Sequence, residues 1–209
     1  MKRNLLLAAT LAALALPLLE GCMPAVATGV GAGALMIADR RAAETYLADE
    51  AIEIRALNRI REKFGDRVHV NVTSYNMNVL LTGEVPDAGI RGELEQAVAG
   101  VVNVRGVSNE TAIGAASSFS ARSNDTYITS KVKARFIEAN KFQANHVKVV
   151  TEAGNAYLLG LVTRKEGDDA AEIARTTAGV KKVVRLFEYI APNEAQRLDN
   201  RPPEKAAPK

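Results

Sequence analysis

The side chains that carry most protein chemistry are scarce among these 209 residues: one Cys, Cys22, and two His, His69 and His146. Zinc centres draw on several Cys and His ligands, and nucleophilic catalysis needs a base and an orienting group beside the nucleophile. One thiol and two isolated imidazoles supply neither, so no metal site, cofactor or enzymatic activity is expected. Asp87, Glu93 and Glu95, with Asp168, Asp169 and Glu172, could suggest acid/base pairs. They fall on amphipathic segments and read as solvated helix faces. Lys and Arg total 27 against 24 Asp and Glu, a net charge of +3 that is too small for a nucleic-acid binder. Any charge argument must therefore be local.

Cys22 closes an export signal. Lys2 and Arg3 precede a run from Leu5 to Leu19 that is apolar except for Thr10 and Pro17. That is the length of a secretory signal core and short of a membrane span, so residues 1–21 read as a signal peptide. The run ends in Leu19-Glu20-Gly21-Cys22, which is similar to the bacterial lipobox, although Glu20 departs from the small or apolar residue usual there. Acylation of Cys22 is the expected modification. Ala25-Val26-Ala27 offers an alternative cleavage site that would release a soluble protein, but the apolar run stops at the Cys. Residues 22–43 then form a small-residue tether.

The elements behind the tether come in two copies. Ile52, Arg55, Ala56 and Ile60 match Ile128, Lys131, Val132 and Phe136, 76 positions later. Val70 and Val72 match Val147 and Val149, and Gly83 and Val85 match Gly160 and Val162, at an offset of 77. "AGVVNV" matches "AGVKKV" at 79. The four-residue spacing of the first block predicts a helix with Ile128, Val132, Phe136 and Ala139 inward, capped in the second copy by Ser123, Asn124 or Asp125. Alternating valines predict a hairpin, followed by a second helix and a last strand through 101–107 or 180–190. Each unit is α-β-β-α-β: an α+β fold with two helices on one face of a three-stranded mixed sheet. The domains are expected at 44–110 and 124–191, with a Ser/Ala linker over 111–123 and a Pro-rich, charged, disordered tail over 192–209. Gly83 and Gly160 interrupt strands, which points to close approach of a helix or a bulge. His69 and His146 share a repeat position and are expected to face solvent.

"SNDTYITSKVKARF" (123–136) and "NHVKVVTEAGNAYLLGLVT" (145–163), with the paired glycines, resemble the BON domain, a family of bacterial envelope modules. With the lipobox and the doubling, the chain is similar to dual-BON outer-membrane lipoproteins over roughly residues 44 to 190. Met23, where Asp would favour retention in the inner membrane, is in keeping with that location. The resemblance implies no catalytic residues. It implies binding of anionic phospholipid through the first helix of the second domain, action at the division site and support of envelope integrity.

Charge and apolar pattern point to the same helix. Residues 44–110 hold 7 basic and 11 acidic side chains, whereas 124–191 hold 11 and 8. Only the second copy would be drawn to an anionic surface. Its first helix, taken as 125–140, turns Tyr127, Ser130, Ala134, Ile137 and Lys141 away from the core, flanked by Lys131 and Lys133. Apolar groups among ammonium groups suit the membrane interface. The matching positions of copy one are Ala51, Arg55, Asn58 and Arg61. Ordinary packing of Tyr127 and Ile137 against the neighbouring domain stands as the bland reading. The expected partner is anionic phospholipid, the chain being a monomer, and the alternative is docking to an envelope machine such as the β-barrel assembly complex.

Overall fold

Apolar residues every fourth position produce the two long helices. The computed structural model describes residues 39–201. Helix α1 (Ala43–Phe64) buries Ile52, Ala56, Ile60 and Phe64, continued by a 3-10 turn, Gly65–Arg67. Strands β1 (His69–Tyr75) and β2 (Asn78–Val85) pair antiparallel. Helix α2 (Ala88–Ala99), capped by the Asp87 side chain, crosses over to β3 (Gly106–Asn109), and β4 (Ala112–Ile113) extends that edge; both run parallel to β2. The second copy repeats the plan with α3 (Phe119–Ala139), a 3-10 turn (Ala144–His146), β5 (Lys148–Glu152), β6 (Asn155–Val162), α4 (Arg164–Arg175) and β7 (Lys182–Tyr189). Helix α5 (Pro192–Asp199) follows. Each sheet has its hairpin's second strand at the centre, in the orders β1-β2-β3 and β5-β6-β7.

Hairpin turns explain one repeated acid. Asn76 and Met77 have φ of 51° and 63°, and Ala153 and Gly154 have 52° and 81°, left-handed pairs that suit a two-residue hairpin. Asp49 on α1 accepts from the Asn76 and Met77 amides at 2.9 and 2.7 Å. Asp125 on α3 accepts from the Ala153 and Gly154 amides at 2.9 and 2.8 Å. A buried helix carboxylate thus fixes the turn in both copies. Arg59 and Arg135 form a second repeated pair, donating to the Ala97 and Ile173 carbonyls near the ends of α2 and α4.

Each domain builds its core between helices and sheet, around Leu81, Leu94 and Val98 in the first and Phe136, Leu158 and Val162 in the second. The opposite sheet faces pack on each other through Tyr75 and Leu80 against Tyr157, Leu159 and Leu161. The layers are therefore helix, sheet, sheet, helix. Central strands β2 and β6 are covered on both sides, which accounts for their nearly continuous apolar runs "VLL" and "YLLGLV". Polar contacts join the rims: Asn71 to Glu152 at 2.9 Å and Lys148 to Glu53 at 3.2 Å.

Several expectations need correction. Helix α3 begins at Phe119 with Ser118 as its cap, not at 123–125, because the Ser118 hydroxyl accepts from the Ala121 amide at 3.2 Å. The expected linker 111–123 consequently contains β4 and the first turn of α3. The last strand of copy one lies at 106–109 and 112–113 rather than 101–107, since Val101 turns into the core. The tail expected over 192–209 is helical at 192–199, with Pro192 in its first turn and Ala195 buried. Ala139, expected inward, is exposed at the end of α3. His146, expected in solvent, is 3% exposed.

Candidate functional site

Burial of Ile128, Val132 and Phe136 fixes the rotation of α3: Thr129, Lys131 and Arg135 flank the core half-buried, and the opposite side faces outward. Tyr127 is 62% exposed and Ile137 70%, while Ser130, Lys133 and Ala134 are exposed between them. Neither aromatic nor aliphatic group packs on the first domain. The three lysines separate into different roles. Lys131 is half-buried, donates to the Ala178 carbonyl, and holds its ammonium 4.7 Å from the Tyr127 ring centre. Lys141 pairs with Asp169 at 2.9 Å, and Lys165 pairs with the same carboxylate at 2.6 Å; Lys165 and Lys141 together hold Asp169 below the usual range. Lys133 has no partner among the described residues and presents its charge to solvent. Beyond Ile137 an open hollow of about 510 Å³ lies among Asn140, Lys141, Phe142 and Gln143.

Sequence reasoning missed Phe119, which is 79% exposed at the start of α3. The late placement of the helix start hid it; the Ser118-x-x-Ala121 capping position was the available signal. Helix α1 also exposes Leu47 and Ile54, the latter at the position that matches Ser130 of α3. Glu44 and Glu50 lie exposed beside them, so the two helices differ in charge more than in apolar exposure.

A second cluster lies at the seam between the domains. Arg40, 3% exposed, donates to Glu166 and Asp199 and, through Nη1, to the Leu161 carbonyl at 2.9 Å. Burial works against its charge, but the Asp199 and Glu166 carboxylates outweigh burial and hold the guanidinium above its usual range. Burial likewise opposes the Glu166 charge; Arg40 and the Thr163 cap overcome it and bring that carboxyl down to about 2. Arg41 bonds Asp39 and Asp49 and lies 4.2 Å from the Tyr75 ring centre. His146 stands 3.5 Å from Asp199, and burial together with Arg40 lowers its pKa, which favours the neutral ring. This cluster ties chain segments together. Its carboxylates are saturated by arginines, and no group of three or more potential metal ligands occurs among the described residues.

The repeat glycines sit against backbone, not against a helix. A Cβ at Gly83 would lie 2.1 Å from the His69 carbonyl oxygen, and one at Gly160 would lie 2.4 Å from that of His146. His69 itself is half-buried and bonds Glu84 at 2.8 Å. Cys22 and the signal segment lie outside the described residues, among which no helix is long and apolar enough to cross a membrane.

The BON domain profile matches residues 49–115 and 124–191, the two α/β units found in the structure. The chain belongs to the BON domain family. A DolP-like organisation follows from its relatives: it is 34% identical over 174 residues to the outer membrane lipoprotein DolP of Haemophilus influenzae, covering 82% of this chain and 90% of that one. It is 31% identical over 154 residues to the 21 kDa hemolysin of Actinobacillus pleuropneumoniae, covering 73% and 79%. Among solved structures it is similar to CdsD, a structural protein of the Type III secretion system of Chlamydia trachomatis, with 14% identity, 72% of this chain and 98% of that one covered, and a TM-score of 0.28.

Proposed function

We propose that this dual-BON protein is an outer-membrane lipoprotein, acylated at Cys22 and facing the periplasm, whose second domain binds anionic phospholipid through α3. It acts by binding and not by catalysis. The observation that carries the reading is the outward face of α3, where Tyr127 and Ile137 stand exposed beside the unpartnered Lys133, with no Asp or Glu between them. Such a face places apolar groups at the headgroup boundary and an ammonium at phosphate. One lysine near an anionic surface contributes about 1 kcal/mol, too little to hold a protein on a membrane by itself. Two acyl chains hold it firmly, at roughly 0.8 kcal/mol per buried methylene. The helix therefore selects where the anchored protein resides and does not attach it. Support of envelope integrity at the division site rests on the family resemblance.

Both BON segments, 49–115 and 124–191, and the seam residue Arg40 lie after residue 22, so a chain starting at residue 23 carries both domains. It should sediment with vesicles containing phosphatidylglycerol and stay free of phosphatidylcholine vesicles. Ile137→Glu should abolish that binding, and Lys133→Ala should weaken it by about 1 kcal/mol at low salt and less at high salt. Full binding by Ile137→Glu would refute the lipid reading and favour a protein partner, such as an envelope assembly machine, on the same face.

A further inference from the structure

Phe119 and Ile137 are 18 residues apart on α3, which at about 3.6 residues per turn is five full turns. The two side chains project from the same side of the helix, roughly 27 Å apart along its axis, and both are exposed. Tyr127 lies between them along the length. We propose that α3 docks lying flat, along its whole length, with Phe119 as a membrane anchor at the end opposite Ile137. This rests on the reading of α3 as the lipid-facing helix and extends it to a residue ahead of the segment that matches the BON profile.

Three observations support the extended contact. The first turn is rigidly built: Ser118 caps the Ala121 amide, and Arg122 folds back to donate to the Ser117 carbonyl. Phe119 is therefore held outward by a formed helix. The residues leading to it, Gly114-Ala115-Ala116-Ser117, are small and carry nothing large enough to cover its ring. Finally, the strip from Phe119 to Ile137 is free of carboxylates. Asp125 turns inward to the hairpin amides, and Glu138 lies about 100° around the helix from Ile137. An end-on contact through Ile137 would leave Phe119 in water; a flat one removes both from water and brings Lys133 to the phosphates.

The chain from residue 23 onward lacks Cys, which permits single spin labels at Ser123→Cys and Ala134→Cys, one toward each end of the strip. On phosphatidylglycerol/phosphatidylcholine vesicles the two labels should report equal depth, and Phe119→Ser should lower affinity about tenfold, as Ile137→Ser does. Because Phe119 is exposed, its thermal unfolding should not change. A deep label at 134 with a label at 123 in water, or undiminished affinity in Phe119→Ser while Ile137→Ser is weakened, would overturn flat docking and leave the lipid reading standing. No binding by the parent chain would defeat both.

Discussion

Arg40 and Glu166 meet edge to edge, Nη1 and Nη2 each donating to a carboxylate oxygen at 2.8 Å. The residue just ahead of the first domain is thus held by the second domain. Asp199 of α5 takes the guanidinium's other edge at 2.7 and 2.9 Å, so both ends of the described chain converge on one side chain. Arg41, the next residue, is bound by Asp49 of the first domain.

Removing Arg40 should therefore cost more than removing an ordinary ion pair. Breaking one partner of a fully buried pair costs about 3–5 kcal/mol. Here Glu166 is left largely buried while Asp199, 37% exposed, can be hydrated, which places the expected loss toward the lower end. Arg40→Met should show a loss of that order in urea unfolding. Arg197→Met, which breaks an exposed pair with Glu194, should stay within about 1 kcal/mol of the parent. Equal midpoints for both variants would show that the seam cluster contributes nothing.

Acid should loosen the same seam in two steps. His146 is buried with a lowered pKa, so the unfolded chain binds its proton first; the stability this gives is present above about pH 6.5 and declines as pH falls below it. Glu166, down at about 2, contributes stability present above its unfolded value of about 4.3 and lost as pH falls toward 2. Denaturant titrations at about pH 7.5, 5.5 and 3 should show both losses. His146→Gln should shrink the first and leave the second.

The glycines separate by the strain each substitution adds. Gly83→Ala must relieve a contact of 2.1 Å with backbone and adopt φ of 105°, whereas Gly160→Ala meets a backbone oxygen at 2.4 Å and the Val162 side chain at 3.2 Å without a positive φ. Both should destabilise by roughly 1–3 kcal/mol or more, Gly83→Ala the more severely. Gly92→Ala, on a helix with open space around the new methyl, should be neutral or slightly stabilising in thermal unfolding.

The repeat, the α-β-β-α-β order and the inward faces of α1 and α3, Ala139 at the end of α3 excepted, were legible because apolar periodicity reports burial directly. Tyr127 and Ile137 were legible as outward residues for the same reason. What escaped was set by contacts distant in sequence. Nothing near His146 announces that Arg40 and α5 will cover it, and nothing near Lys131 announces the Ala178 carbonyl. Asp49 and Asp125 were available in the repeat at the same offset of 76 as the flanking apolar residues. Reading Asp125 as a helix cap concealed its role at the hairpin turn.

Face-to-face packing of the sheets, with Arg40 inserted across the seam, also has a mechanical consequence. Tension applied through the chain ahead of Asp39 does not peel one domain from its end. It reaches the first domain through Arg41 and Asp49 and the second through Arg40 and Glu166, side by side. The load is shared between two bodies pressed together, so a pull from an anchored surface would be borne in parallel and not in series.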